Sequence, residues 1–162
     1  MATPLYLWLK DENGTPIAAS SEVVGREGSI EVLSVGHAMH APTDGNTGRL
    51  TGTRVHQPLS IEKDIDKSTP FLYRALARGD TLSEGILCWY RVNDAGIETE
   101  YFRTIMQGVK VVSIAPVMPN IRRETSKIQN HIERVAFRYE SIEWRYLDGN
   151  VVFKDAWNQW PH

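Results

Sequence analysis

The chain has 162 residues, the size of one ordinary domain, and at that length a single core can bury roughly two-thirds of the unfolded surface. Its 18 Lys+Arg against 20 Asp+Glu give a formal net charge of −2, which disfavours nucleic acid as a partner because no broad positive field exists. A hydrophobic share of 41% with 23% charged residues is globular composition; no apolar run approaches the ~18 residues of a membrane helix, and the one cysteine, Cys88, excludes an intramolecular disulfide and a multi-cysteine metal site.

Residues 1–162 read as one domain, with no repeat, linker or charge block dividing them. Met1–Lys10 lacks the pattern of a secretory signal peptide. Leu5, Leu7 and Leu9 alternate with Tyr6, Trp8 and Lys10, a period of two that predicts a strand, and Asp11–Gly14 turns the chain. A second strand is expected from Ile30 to Met39. Ala41–Arg54, with a proline, three glycines and four threonines, reads as a long loop, and such loops in compact domains are usually functional or disordered. Ser68 or Thr69 as a cap, Pro70 in the first turn, the stripe Leu72, Ala75, Leu76 and a closing Gly79 predict a ten-residue helix.

Three strands follow, Ile86–Val92, Ile97–Met106 and Val109–Ile114, read as a meander. Val135, Phe137 and Tyr139 share one parity whereas Ile142, Trp144 and Tyr146 share the other, so the chain must bulge or bend around Glu140-Ser141. Asp148-Gly149-Asn150 turns into a last strand, Val151–Phe153. The expected fold is mainly β: an antiparallel barrel or sandwich with one short helix packed on its side or across an opening.

No reaction centre emerges. His37 and His40 lie three apart on an expected strand and so point to opposite faces, His56 and His131 lack acidic or cysteine neighbours at ligand spacing, and His162 is the last residue. Cys88 sits in the apolar run Ile86–Tyr90, where a thiol is buried and inert. Glu62, Asp64 and Asp66 read as a charged lead into the helix rather than as acid/base partners, and Gly45 and Gly48 lack the Gly-Lys-Ser/Thr of a phosphate loop. Trp89-Tyr90-Arg91 and Trp144-Arg145-Tyr146 interleave rings with guanidinium groups, but in an acidic chain they read as packing rather than base-stacking platforms. These observations point to no enzyme, no metal and no cofactor. Apolar residues on both faces of one strand, Tyr101 and Ile105 against Phe102 and Met106, suggest burial on two sides, as an oligomer would provide.

Six stretches appear in an order that closely resembles the haemolysin-coregulated protein (Hcp) family, the tube subunit of the bacterial type VI secretion system. They are Gly25–Val32, Pro42–Asp44 through Thr47–His56, Asp66–Pro70, Trp89–Arg91, Met118–Asn120 and Asp155–Trp157. The resemblance implies a β-barrel with one helix, assembled into a hexameric ring whose stacked copies form a tube carrying small effectors in its lumen. It implies a spike protein at the tube tip and a surrounding sheath as partners, no catalysis, no membrane, and assembly in the cytoplasm before secretion. By this analogy Pro42, Asp44, Thr47, Arg49, Thr51, Arg54 and His56 belong to a ring-stacking loop, and Ser34 and Gly36 face the lumen. Val35-Gly36 stands where the family pattern leads one to expect Phe-Ser, and a plain tube subunit, without the toxin domain of extended members, is expected. The competing reading from the residues alone is a monomeric barrel enclosing a small apolar ligand.

Overall fold

The computed structural model describes residues 3–123 and 130–157. Its strands are β1 (Leu5–Lys10), β2 (Ile30–Gly36), β3 (Met39–His40), β4 (Val55–His56), β5 (Leu59–Asp64), β6 (Leu82–Val92), β7 (Glu98–Val117), β8 (Ile132–Arg138), β9 (Ser141–Tyr146) and β10 (Val151–Ala156). One helix, α1 (Thr69–Arg78), lies between β5 and β6. Six strands close an antiparallel barrel in the order β7-β6-β1-β2-β5-β8, sealed by the pairing of β7 with β8. The β9–β10 hairpin extends the sheet from β7, and β3 with β4 forms a separate two-stranded ribbon.

Alternation fills the barrel as the sequence requires. Leu7, Ile30, Leu59, Ile61, Leu87, Met106, Val135 and Phe137 are each at most 1% exposed, and burying each such side chain is worth about 1.5–3 kcal/mol. The interior is thus occupied by the chain's own side chains, which counts against an enclosed ligand. The helix forms where its signals predict: Pro70 stands in the first turn, Leu72 and Ala75 are buried, and Gly79 closes it in the left-handed conformation at φ 68°. Ser68 occupies the N-cap position, but its side chain makes no capping bond; its hydroxyl donates to Asp66 instead.

Two expected boundaries are corrected. The strand foreseen for Ile30–Met39 stops at Gly36: a bulge at Leu33 shifts its register against β5, and His37 then leaves the sheet to meet Tyr139. The strands foreseen for Ile97–Met106 and Val109–Ile114 are one strand of 20 residues, β7. It bends at Gly108 (φ 63°) and changes partners there, pairing with β9 up to Gln107 and with β8 from Lys110. The break expected near Glu140-Ser141 lies opposite this bend, between β8 and β9, so both chains turn one corner together.

Polar residues also enter the interior. Lys63 and Glu133, directly opposite on β5 and β8, are fully buried and form an ion pair. Lys63 Nζ also lies 3.1 Å from Asp66 Oδ1 and donates to Thr69 Oγ1, so the charge clasps the helix N-terminus onto the barrel. Arg26, 9% exposed, stacks over Tyr90 at 3.8 Å and over Tyr6 at 4.8 Å while pairing with Glu98, which accounts for part of the aromatic and basic interleaving by packing. Cys88 is buried, and that burial pushes its thiol up to about 11. It is unreactive at neutral pH.

Candidate functional site

Two regions gather the residues that the sequence singles out. The first is the outer face of β2, β5, β8 and β7. Ser34 pairs with Glu62, Gly36 with Ser60, Ser60 with Ala136, and Ala136 with Ser113, so small side chains line up across four strands. They floor an open concavity of about 380 Å³ that contains both Ser34 and Gly36. Its only paired charges among the lining residues are Glu62 and Arg134, 3.1 Å apart. Bulges on the two outer strands fall at Leu33 and Val112, and both residues are exposed, giving the small-residue floor apolar margins.

The second region is the Ala41–Arg54 segment. It is not shapeless. Thr43 bridges Leu50, Asp44 N donates to the Arg49 carbonyl at 2.8 Å, and Thr51 N donates to the Pro42 carbonyl at 2.9 Å. Asp44 Oδ1 accepts from Asn46 N at 2.7 Å, an Asx turn that caps the tip, and Gly48 supplies the positive φ the return requires. Thr47, Arg49 and Thr51 are exposed, Pro42 and Asp44 half-buried, and Leu50 is 70% exposed.

The base of this segment carries a hydrogen-bonded chain that the sequence did not reveal. His37 Nε2 lies 2.8 Å from the Tyr139 hydroxyl, which lies 2.6 Å from His56 Nδ1; His56 Nε2 lies 2.7 Å from Asp155 Oδ2. Arg54 binds both carboxylate oxygens of Asp155, at 2.9 and 2.7 Å, and also the Ala156 carbonyl. Trp144 stacks on His56 and Trp157 leans against it, leaving His56 2% exposed. The Arg54 guanidinium, with help from His56 against the opposing effect of burial, lowers the Asp155 carboxyl to about 2. Arg54 and His56 therefore point inward, into β10 and Tyr139. Among the seven residues assigned to the loop, Thr47, Arg49 and Thr51 face solvent.

The remaining candidates stay apart. His40 is exposed while His37 turns toward Tyr139, and no group of three metal-ligating side chains converges among the described residues. Glu62 pairs with Arg134 across the outer face and Asp66 with Lys63, so these carboxylates do not form an acid/base pair. His162 lies outside the described residues. Lys63 and Glu133 are fully buried, Tyr139 is buried and Asp155 half-buried, and the sequence assigns none of these four a polar role. A signal did exist for two of them, since Lys63 and Glu133 occupy core-parity positions on otherwise apolar strand faces and carry opposite charges.

A family model described as type VI secretion system effector, Hcp, matches residues 6–146. The chain belongs to the Hcp family. A protein of Pseudomonas aeruginosa named "Major exported protein" is 30% identical over 166 residues, covering 97% of this chain and 96% of that one. A solved structure of a doubly substituted Hcp1 protein from the E. coli EAEC 042 pathovar is 49% identical, covers 96% of this chain and 99% of its own, and superposes with a TM-score of 0.87. The secreted protein Hcp3 from Pseudomonas aeruginosa is 27% identical over 98% of this chain, with a TM-score of 0.79. As an Hcp protein the chain is a tube subunit of the type VI secretion system. The barrel with, among the described residues, a single side helix is the fold that this membership implies.

Proposed function

We propose that six copies of this Hcp protein close into a ring, that rings stack into a tube, and that the face built from β2, β5, β8 and β7 lines the lumen where small effectors ride. The observation that carries this reading is the continuous floor of small side chains around Ser34 and Gly36, which leaves a broad concave surface free of bulky obstruction. Apolar residues left outside a closed barrel, including Val151 and Phe153 on the β9–β10 hairpin, are the surface that a neighbouring copy would cover. A spike protein at the tip, a sheath outside and export with the tube complete the proposal. Light scattering on the purified chain tests it: a species near six times 18.4 kDa is expected, and a lone 18.4 kDa species at micromolar concentration overturns the ring.

The Ala41–Arg54 segment is proposed to reach the next ring through its exposed side, Thr47, Arg49 and Thr51. Pro42 and Asp44 shape the turn, while Arg54 and His56 hold its stem. Catalysis has no part in the proposal. An effector pull-down with Ser34→Gln is the lumen test: retention falls with an intact ring if Ser34 faces the cargo, and unchanged retention removes it from the lumen.

A further inference from the structure

The chain His37, Tyr139, His56, Asp155 joins the link after β2, the end of β8, β4 and β10 into one line of hydrogen bonds. It crosses the stem of the Ala41–Arg54 segment from both sides: His37 precedes β3, while Arg54 and His56 lie at and within β4. Counting protons fixes its direction. An Asp155 carboxylate only accepts, so His56 Nε2 donates to it. With His56 neutral, Nδ1 is then an acceptor and the Tyr139 hydroxyl must donate to it, which leaves the phenol oxygen to accept from His37 Nε2. Every link is satisfied with both imidazoles neutral.

One added proton is tolerated, because the phenol turns and the direction reverses: His56 donates at both nitrogens, to Asp155 and to the phenol oxygen, while the phenol O–H donates to His37. Two added protons are not. Both imidazolium rings then donate to the same phenol oxygen, its own O–H loses every acceptor in the chain, and two cations face each other across one hydroxyl. The surroundings make this worse. Arg54 is the charge on the loop side, and from β8 Arg138 acts on Tyr139, its guanidinium 5.4 Å from the Trp157 ring centre, while Asp155 is the one anion among the four linked residues. Trp144, Phe153 and Trp157 supply apolar surface against His37 and His56 and along the hairpin.

We propose that this chain is an acid-sensitive latch, which holds the stem of the Ala41–Arg54 segment against β8 and β10 when both histidines are neutral and releases it when both are charged. Burial, with the neighbouring His56 adding to it, lowers His37 from its ordinary value. A lowered imidazole contributes stability above its unfolded value of about 6.5 and loses it as the pH falls through the folded value. The latch is therefore shut at neutral pH and opens on acidification. It concerns contacts within one subunit and stands whether or not the segment bridges rings.

Amide hydrogen exchange, corrected for intrinsic rates at pH 7.5 and pH 5.0, tests the proposal on the intact chain. In the parent, protection of the peptide spanning Met39–His56 is expected to fall at least tenfold on acidification, while the Leu82–Val92 peptide keeps its protection. His37→Gln retains an N–H donor for Tyr139 but cannot take the second proton, so its stem is expected to stay protected at pH 5.0. Tyr139→Phe breaks the chain, and its stem should be equally loose at both pH values. A parent whose Met39–His56 protection is the same at the two pH values overturns the latch, and so does His37→Gln loosening in acid as the parent does.

Discussion

Gly108 lies against Glu140 so closely that a Cβ on the glycine would come within 2.6 Å of Glu140 Cδ. The contact sits where β7 bends and where β8 gives way to β9, and Glu140 N donates to the Gln107 carbonyl across it. Gly108 also holds a φ of 63°, which costs a non-glycine residue about 1–2 kcal/mol. Gly108→Ala is expected to lower stability by at least that amount in urea unfolding. Adding Glu140→Ala should restore the part due to the clash and leave the part due to the backbone, a split read directly by a double-mutant cycle. Full restoration would mean that the left-handed backbone costs nothing here.

Lys63→Met should be severe. It removes the cation from Glu133, which is fully buried and has Oε2 without a partner. Breaking a buried pair from one side costs about 3–5 kcal/mol, whereas replacing both partners with apolar groups is often neutral. Lys63→Met with Glu133→Leu is therefore expected to recover most of the loss, measured as the shift in urea midpoint at constant slope. A double variant as unstable as the single one would show that Lys63 acts through Asp66 and Thr69 rather than through Glu133.

Alternation made most of this fold legible. Leu5, Leu7 and Leu9, the helix signals from Ser68 to Gly79, and the parity change between Tyr139 and Ile142 each led to the element observed. The failures share a cause. Gly108 falls in the gap between the expected strands Ile97–Met106 and Val109–Ile114, because a glycine that bends a strand and one that ends it leave the same local signal; only the switch of partner from β9 to β8 separates them. Likewise, the relay at the stem joins residues 37, 56, 139 and 155, whose adjacency is produced by closure of the sheet and not by spacing in the chain. Ser34 and Gly36 do share a concave face as period two requires, but the width of that face comes from the small residues of β5, β7 and β8.

Asp155 sets an acid limit. Its carboxyl is lowered to about 2, chiefly by Arg54 and secondarily by His56 against the desolvation that opposes them. A depressed carboxyl contributes stability above its unfolded value of about 3.9 and loses it as pH falls toward the folded one. For this half-buried group, with its side chain 16% exposed, screening leaves about 1 kcal/mol at neutral pH. Asp155→Asn should accordingly flatten the stability profile between pH 4 and pH 2, followed by urea midpoints at each pH. A profile in that window identical to the parent's would show that Asp155 is not among the groups titrating there.

Arg49 and Arg54 are expected to behave differently although both lie in the Ala41–Arg54 segment. Arg49 is exposed, and its backbone carbonyl, not its guanidinium, holds the turn by accepting from Asp44 N. Reversing its charge should move stability by no more than ~0.5 kcal/mol, as surface changes away from caps and cores do. Arg54 instead grips both oxygens of Asp155 and the Ala156 carbonyl. Arg54→Glu would set a carboxylate against Asp155, beside His56 and the stem of the loop, and should lower the thermal midpoint visibly. If the segment contacts the next ring, Arg49→Glu abolishes polymerisation into tubes while rings persist at the parent's midpoint. Arg54→Glu also loses polymerisation, but with a lowered midpoint and a stem that exchanges faster. Normal tubes from Arg49→Glu, seen by negative-stain microscopy, would place the ring contact elsewhere on the chain.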